Sequence, residues 1–305
     1  AASAYRNNHP NTVLFEQDIQ QVDTESIERL LKGKRPALVA GCPPCQGFSS
    51  VRKLNGSRSV HDERNKLIKD YVRFVRDLKP YTILMENVPG ILDYDLFHTC
   101  LADLDKLGYK ISHLVVNIEK FGIPQRRKRL VLIGSKIAEI TLPAPRKKRQ
   151  TVRHTIGKLP LPSASSDGMH SRVITHSADI QEMINLIPKD GGSRKDLPDN
   201  YTLDCHRKNS VGFSDIYGRM KWDDISPTIT GGCLNPSKGR FLHPEQNRAI
   251  TPREAALLQT FPKSYWFPEK VNKDKLGLLI GNALPPEFAY QQGKHIMDHL
   301  NENGR

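Results

Sequence analysis

The chain has 305 residues, and its 46 basic and 33 acidic side chains give a formal net charge of +13. Hydrophobic residues make up 37% and charged residues 26%, which excludes a disordered or fibrous chain. No apolar run approaches the ~20 residues that cross a bilayer, so a membrane-spanning protein is also excluded. The basic surplus favours a polyanionic partner, with nucleic acid as the first candidate. Five cysteines are too few for a disulfide scaffold, which favours the reducing cytoplasm.

Short apolar runs alternate with helical patterns through the first half of the chain. The sequence predicts strands or β-rich segments at Thr12–Phe15, Pro36–Ala40, Thr82–Met85, Ile111–Val116 and Arg129–Ile133. It predicts helices at Ile27–Leu31 after an N-cap at Asp23 or Thr24, at Asp62–Leu78, and at Leu96–Leu107 before Gly108. This alternation predicts an α/β fold with a mainly parallel sheet covered by helices.

The amino-acid composition changes near Pro143–Gln150, a proline-rich and basic stretch that is typical of a linker. Residues 151–220 are polar with few periodic segments, which predicts a smaller, loop-rich second domain. Thr251–Glu254 has the form of a capping box, so a helix is predicted to begin there. A last helix is predicted over Pro286–Leu300.

The stretch Gly41–Ser50 holds Cys42 and Cys45 on either side of a Pro-Pro pair. A Cys-x-x-Cys pair can bind zinc, but zinc usually has four ligands and no second pair follows, so no metal site is predicted. A redox-active dithiol and two buried structural thiols are further alternatives. The sharper interpretation makes Cys45 a nucleophile just past a strand end. The site would then have to favour its thiolate, because a thiol is only a few per cent ionised at neutral pH.

Two further motifs place charge next to predicted strands. Glu86 follows the apolar run Thr82–Met85. Burying a carboxylate there costs free energy unless it is paired with another group or serves the reaction. The alternative is a carboxylate that only caps a turn at the strand end. The basic cluster Gln125–Arg129 precedes the apolar Leu130–Ile133, so at least one arginine is expected to point inwards. Ligands of such sheets bind at the carboxyl ends of strands, and we therefore expect Cys45 and Glu86 to share one crevice.

Taken in chain order, these motifs make the sequence resemble the cytosine-5 DNA methyltransferase family. The matching stretches are Pro44-Cys45-Gln46, Glu86-Asn87-Val88, Gln125-Arg126-Arg127, Ser226–Thr230 between Arg219 and Arg253-Glu254, Gly281-Asn282, His9-Pro10, Asp18-Ile19 and Asp62–Leu67. The family usually has valine where this chain has Leu284. The resemblance implies a Rossmann-like catalytic methyltransferase domain at 1–150 and a target recognition domain at 151–265. A C-terminal segment, 266–305, would return to the catalytic domain.

The resemblance also implies the reaction. A methyl group would pass from S-adenosylmethionine to carbon 5 of a flipped-out cytosine in a specific duplex DNA sequence, leaving S-adenosylhomocysteine. Cys45 would add to carbon 6, and Glu86 would hold ring nitrogen N3 and the exocyclic amine. Arg127, and with it Arg129, would grip the base carbonyl oxygen. A role in restriction–modification and a place in the bacterial cytoplasm, or in the nucleus of a eukaryote, are further implications.

Other contact residues are carried over from the same motifs. The cofactor residues implied are Asp18, Ile19, Pro43, Leu67, Asn282 and Ala283. The DNA-contact residues implied are Gln46, Ser49, Arg52, Lys53, Arg126, Arg219 and Thr230. The segment Phe48–Arg64 is expected to close over the flipped base, with its cations on phosphates.

One part of the family pattern has no counterpart, namely the glycine-rich first motif, since the first 20 residues contain no glycine. Either that part precedes the first residue of this sequence or a second polypeptide supplies it. We therefore expect this chain alone to be a poor or inactive enzyme. Two alternatives stay open, an RNA cytosine-5 methyltransferase and a non-catalytic or split-enzyme DNA-binding subunit.

Overall fold

The computed structural model describes residues 1–44, 63–145, 149–201 and 215–305. The chain forms two compact units. The sheet unit comprises residues 13–117, 128–144 and 290–305, and the loop-rich unit comprises residues 1–12, 118–127 and 145–289. No helix in the described ranges is long and apolar enough to cross a membrane.

The sheet unit is built on strands β1 Leu38–Gly41, β2 Thr82–Asn87, β3 Lys110–Asn117 and β4 Lys128–Ser135. They form a four-stranded sheet in the order β1-β2-β4-β3. β1 pairs with β2 in parallel, whereas β4 pairs antiparallel with both β2 and β3. The predicted α/β class is confirmed, but the sheet of the described residues is mixed and not mainly parallel. The connection 118–127 is too short for the helical crossover that a parallel β3–β4 pair would need.

The helices in chain order are α1 Ala2–Asn8, α2 Thr24–Leu31, α3 Ile68–Leu78, α4 Asp95–Lys106, α5 Val152–Ile156, α6 Gly168–Ser171, α7 Ala178–Leu186, α8 Pro252–Leu258, α9 Lys273–Gly281 and α10 Pro286–Glu302. In the sheet unit, α3 and α4 contribute Tyr71, Phe97 and Leu104 to a core shared with Ile83 and Met85 of β2. Each large apolar side chain buried in this way stabilises the fold by ~1.5–3 kcal/mol.

Local signals explain several element ends. Asp23 accepts a hydrogen bond from Glu25 N at the start of α2, and Gly108 adopts a φ of +85° after α4. The β-rich stretch Thr12–Phe15 behaves differently, because it forms no strand and leaves Val13 63% exposed. Such a run becomes a strand only where it pairs with a neighbouring sheet edge.

The loop-rich unit packs around α8 and α9, with Ile229, Leu234, Phe241, Leu258 and Leu276 in its core. Among its described residues, the β pairings are isolated bridges. The predicted capping box is present at the start of α8, where the Thr251 and Glu254 side chains accept from each other's backbone N–H groups. The functional domains divided at residues 150 and 265 stay a prediction, because the compact units divide the chain at other residues.

Candidate active site

Glu86 and Arg129 form an ion pair between the two central strands of the sheet, near the carboxyl end of β2 and the amino end of β4. Glu86 of β2 pairs in register with Val131 of β4, so Arg129 lies diagonally next to it on the same face. The Arg129 Nε atom donates to Glu86 Oε1 at 2.6 Å, and the two side chains are only 15% and 12% exposed. Burial lowers the pKa of Arg129, and the Glu86 carboxylate opposes that shift. The pair therefore presents a carboxylate with one oxygen held by a charge-assisted hydrogen bond.

Asn87, the last residue of β2, ties this strand to the turn after β1. Its Nδ2 atom donates to the Pro43 carbonyl oxygen at 3.0 Å, and its Oδ1 atom accepts from Val88 N at 2.8 Å. β1 and β2 are parallel, so their carboxyl ends meet at one edge of the sheet. No separate role for Asn87 was predicted from the sequence. The signal that could have indicated this role was an amide side chain directly after the candidate carboxylate Glu86.

Arg127 belongs to the loop-rich unit and is only 5% exposed. Its Nη1 atom donates to the carbonyl oxygens of Ile229 at 3.1 Å and Gly281 at 3.3 Å, and its Nη2 atom donates to that of Ala283 at 3.4 Å. Backbone carbonyls thus engage both Nη atoms, which argues against the predicted grip on the base. Of the two candidate catalytic arginines, Arg129 is the one that pairs with the carboxylate.

A cavity of about 280 Å³ lies at the end of β1 within the sheet unit. Its walls include the predicted cofactor residues Ile19, Pro43 and Leu67, together with Val39, Cys42, Tyr71 and Phe74. Gly41 is required here, because a Cβ atom at this position would come within 2.6 Å of the Tyr71 ring. The buried Tyr71 hydroxyl donates to the Leu84 carbonyl oxygen at 3.1 Å, and burial raises its pKa. These apolar and aromatic walls fit the flat base of an adenosine group.

The remaining predicted cofactor residues line no part of that cavity. Asp18 is exposed, and its carboxylate accepts from Gln20 N at 2.9 Å as the N-cap of a short 3-10 turn. Asn282 and Ala283 belong to the loop-rich unit, where they follow the end of α9. Their contact with a cofactor stays a prediction.

Two predicted DNA-contact residues lie at the surface of the loop-rich unit. Arg126 is 63% exposed and pairs with Asp224 at 2.5 Å, and Arg149 also contacts this carboxylate. Burial tends to raise the pKa of Asp224, but a backbone hydrogen bond and the two arginines outweigh it and hold that pKa below its usual range. The exposed Thr230 hydroxyl accepts from Gly232 N at 3.3 Å. The predicted residues Cys45, Gln46, Ser49, Arg52 and Lys53 lie outside the described residues.

Arg219 is completely buried in the loop-rich unit. Its guanidinium donates at 2.7–3.1 Å to five uncharged oxygen atoms, those of the Ile184, Ile187, His243 and Gln246 carbonyls and the Asn247 side chain. A guanidinium has five N–H donors, so none is left for DNA. The prediction of a direct DNA contact is therefore wrong for Arg219, which instead joins the end of α7 to the turn at 243–247.

Comparison with known proteins decides the family. A family model described as C-5 cytosine-specific DNA methylase matches residues 1–298. The chain belongs to the C-5 cytosine-specific DNA methylases. This methylase is 37% identical to the type II methylase M.HgiDII of Herpetosiphon aurantiacus, over 97% of this chain and 86% of that one. It is 33% identical to the type II methyltransferase M1.HphI of Haemophilus parahaemolyticus, over 93% of this chain and 74% of that one.

Solved structures show the same fold. The methylase superimposes with a TM-score of 0.73 on a prophage-encoded E. coli protein assigned as a DNA modification methyltransferase, at 22% identity. The match covers 98% of this chain and 89% of that chain. The predicted family, methyltransferase class and Rossmann-like fold are thus confirmed, whereas the roles of individual residues stay predictions.

Proposed function

We propose that this methylase transfers a methyl group from S-adenosylmethionine to carbon 5 of cytosine in duplex DNA, as the modification enzyme of a type II restriction–modification system. The Glu86–Arg129 pair carries the proposal, because it presents a held carboxylate at the sheet edge where the Pro43-Pro44 turn also emerges. The two relatives above bear type II names, and the net charge of +13 suits duplex phosphates.

In the proposed reaction the Cys45 thiolate adds to carbon 6 of the cytosine, which makes carbon 5 nucleophilic. Glu86 binds N3 and the exocyclic amine, and stabilises the charge that shifts as the adduct forms. Arg129 keeps the Glu86 carboxylate in place and donates to the base carbonyl oxygen. Bound S-adenosylmethionine supplies the methyl group. Removal of the carbon 5 proton by a base and departure of Cys45 then restore the ring.

Binding of both substrates follows from the same assignment. Carbons 5 and 6 are unreachable inside a stacked duplex, so the cytosine leaves the helix to meet these side chains. The cavity beside β1 holds the adenosine part of the methyl donor, with Ile19 and Leu67 on its apolar wall and the ring of Tyr71 against it. We further propose that Asp18, which lies directly before Ile19 but outside the lining of this cavity, accepts a hydrogen bond from the adenine amine.

The test is transfer of labelled methyl groups from S-adenosylmethionine to mixed-sequence duplex DNA, followed by identification of the methylated atom. The proposed function predicts label at cytosine carbon 5 of duplex DNA, absent from structured RNA and lost in Cys45→Ser. This result would overturn the expectation that the chain alone is a poor or inactive enzyme. Transfer to RNA alone would contradict the proposed substrate. A chain that binds duplex DNA but neither binds nor uses the donor would support the alternative of a DNA-binding subunit.

A further inference from the structure

Three polar side chains of the loop-rich unit, Gln125, Arg127 and Gln259, form a buried group that we call the polar clamp. Gln125 and Gln259 are completely buried. The Gln125 Nε2 atom donates to Gln259 Oε1 at 2.5 Å and to the Leu258 carbonyl oxygen at 3.1 Å. The Gln125 Oε1 atom accepts from Ile229 N at 3.3 Å. Loss of a hydrogen bond to a buried amide costs free energy, so Gln125 and Gln259 depend on each other.

The polar clamp caps the carboxyl end of α9. The last carbonyls of a helix have no partner within it, and the polar clamp supplies partners here. The Gln259 Nε2 atom donates to the carbonyl oxygens of Ile280 at 3.0 Å and Ala283 at 2.7 Å. Arg127 donates to those of Gly281 and Ala283. Its positive charge is favourable at this end of the helix dipole.

The capped turn is the one that holds two predicted cofactor residues, Asn282 and Ala283. Both Gln259 and Arg127 donate to carbonyls on the two sides of Asn282, and Gln259 makes the shorter bond to the Ala283 carbonyl oxygen, at 2.7 Å against 3.4 Å. Its Nε2 hydrogens have no other role in the described structure than to bond this turn. The backbone at Gly281 is also fixed sterically, because a Cβ atom there would lie 2.0 Å from the Thr230 carbonyl carbon. The conformation of the turn therefore depends on Gln259, which is twenty or more residues away in sequence.

We infer that Gln259 is a positioning residue for the methyl donor, and that it acts by holding the Asn282-Ala283 backbone in its binding conformation. The inference rests on the proposed function. In the proposed reaction Gln259 touches neither substrate, so its loss should weaken donor binding and leave the chemistry at Glu86 and the DNA affinity unchanged.

The test compares Gln259→Met with Gln292→Met in the full chain. Gln292 is equally buried, and its side-chain amide has no hydrogen-bond partner among the described residues. Comparison of the two variants therefore separates the loss of the Gln259 hydrogen bonds from the loss of a buried amide group. We expect Gln259→Met to raise the Kd for S-adenosylhomocysteine, measured by titration calorimetry, and the KM for S-adenosylmethionine about tenfold. Turnover at saturating donor and the Kd for duplex DNA should stay within about twofold, and Gln292→Met should change none of these values.

Gln259→Glu provides a second variant if Gln259→Met does not fold, since it keeps the shape and the acceptor but cannot donate to Ile280 and Ala283. An unchanged Kd for S-adenosylhomocysteine in both variants, or an equal loss of DNA affinity, would overturn the inference. Absence of methyl transfer and of donor binding in the unsubstituted chain would refute the proposed function, and the inference with it. Transfer by that chain together with normal donor binding by the variants would refute the inference alone.

Discussion

The two units of the molecule use arginine in different ways. In the sheet unit, Arg129 keeps 15% of its side chain exposed and pairs with the Glu86 carboxylate. In the loop-rich unit, Arg219 has no exposed surface and donates only to uncharged oxygens. All the buried arginines within the described ranges belong to the loop-rich unit. Arg127, Arg194 and Arg219 donate to backbone carbonyls, whereas Arg248 and Arg253 pair with the carboxylates of Glu254 and Asp167.

The difference follows from backbone structure. Strands satisfy their carbonyl groups by pairing with each other, so the sheet unit can hold its charged pair at an edge. The described part of the loop-rich unit pairs strands only at isolated bridges, and its buried carbonyls need side-chain donors instead. Arginine suits that task because it offers five donors in one rigid group. A buried cation in a loop-rich region is therefore weak support for a nucleic-acid contact.

The largest effect should come from Glu86→Gln, which tests the sheet-unit side of this comparison. The glutamine amide keeps the shape of the side chain but has no negative charge to pair with Arg129, and it cannot share a proton with N3 of the cytosine. We expect turnover of the methylase to fall about a thousandfold, with little change in DNA affinity. Steady-state methylation and DNA binding measure the two effects. Glu28→Gln, on the exposed face of α2, is the control, and normal turnover by Glu86→Gln would remove Glu86 from the mechanism.

Arg219→Met should have the next largest effect, on stability instead of chemistry. It leaves buried carbonyls at the end of α7 and in the turn at 243–247 without donors, so we expect the free energy of unfolding to fall by about 4 kcal/mol. Denaturant titration measures the loss. Arg153→Met is the matched control, because the exposed Arg153 pairs with Asp223 at the surface and its loss should leave the midpoint unchanged. Equal stability of the two variants would contradict the structural role of Arg219.

A smaller effect concerns pH and should also belong to the loop-rich unit. Burial lowers the pKa of His243 from 6.5 to about 4, and nearby Arg248, Arg219 and His170 add to this while Glu254 opposes it. The unfolded chain takes up a proton on this ring before the folded chain does, so stability is present above pH ~6.5 and is lost as pH falls towards ~4. At ~1.4 kcal/mol per pKa unit, the loss amounts to ~3 kcal/mol.

The measurement for this prediction is the free energy of unfolding between pH 7 and 4. The His243 Nδ1 atom accepts from the N–H groups of Glu245 and Gln246, so His243→Asn, which can accept at a similar place, is the control. It should flatten the pH dependence over this range. The same slope in both proteins would show that another group titrates there.

Short-range signals account for what the sequence predicted correctly. Asp23 at the start of α2 and Thr251 with Glu254 at the start of α8 act on residues within one helical turn. The choice between Arg127 and Arg129 could not be made from sequence, because it depends on partners such as Gly281, 154 residues from Arg127. The burial of Arg219 and the antiparallel partners of β4 depend on long-range contacts in the same way.

Asn87→Ala has the smallest expected effect. It tests a feature that the two units share, because at Asn87 the sheet unit also uses a buried polar side chain to hold its backbone. Loss of the bond to Pro43 frees the turn that leads to Cys45, while the Glu86–Arg129 pair stays in place. We expect stability to fall by about 1 kcal/mol and turnover about tenfold, with the KM for DNA unchanged. Asn301→Ala at the exposed end of α10 is the control. A stability loss without a turnover defect would mean that Asn87 supports the sheet alone.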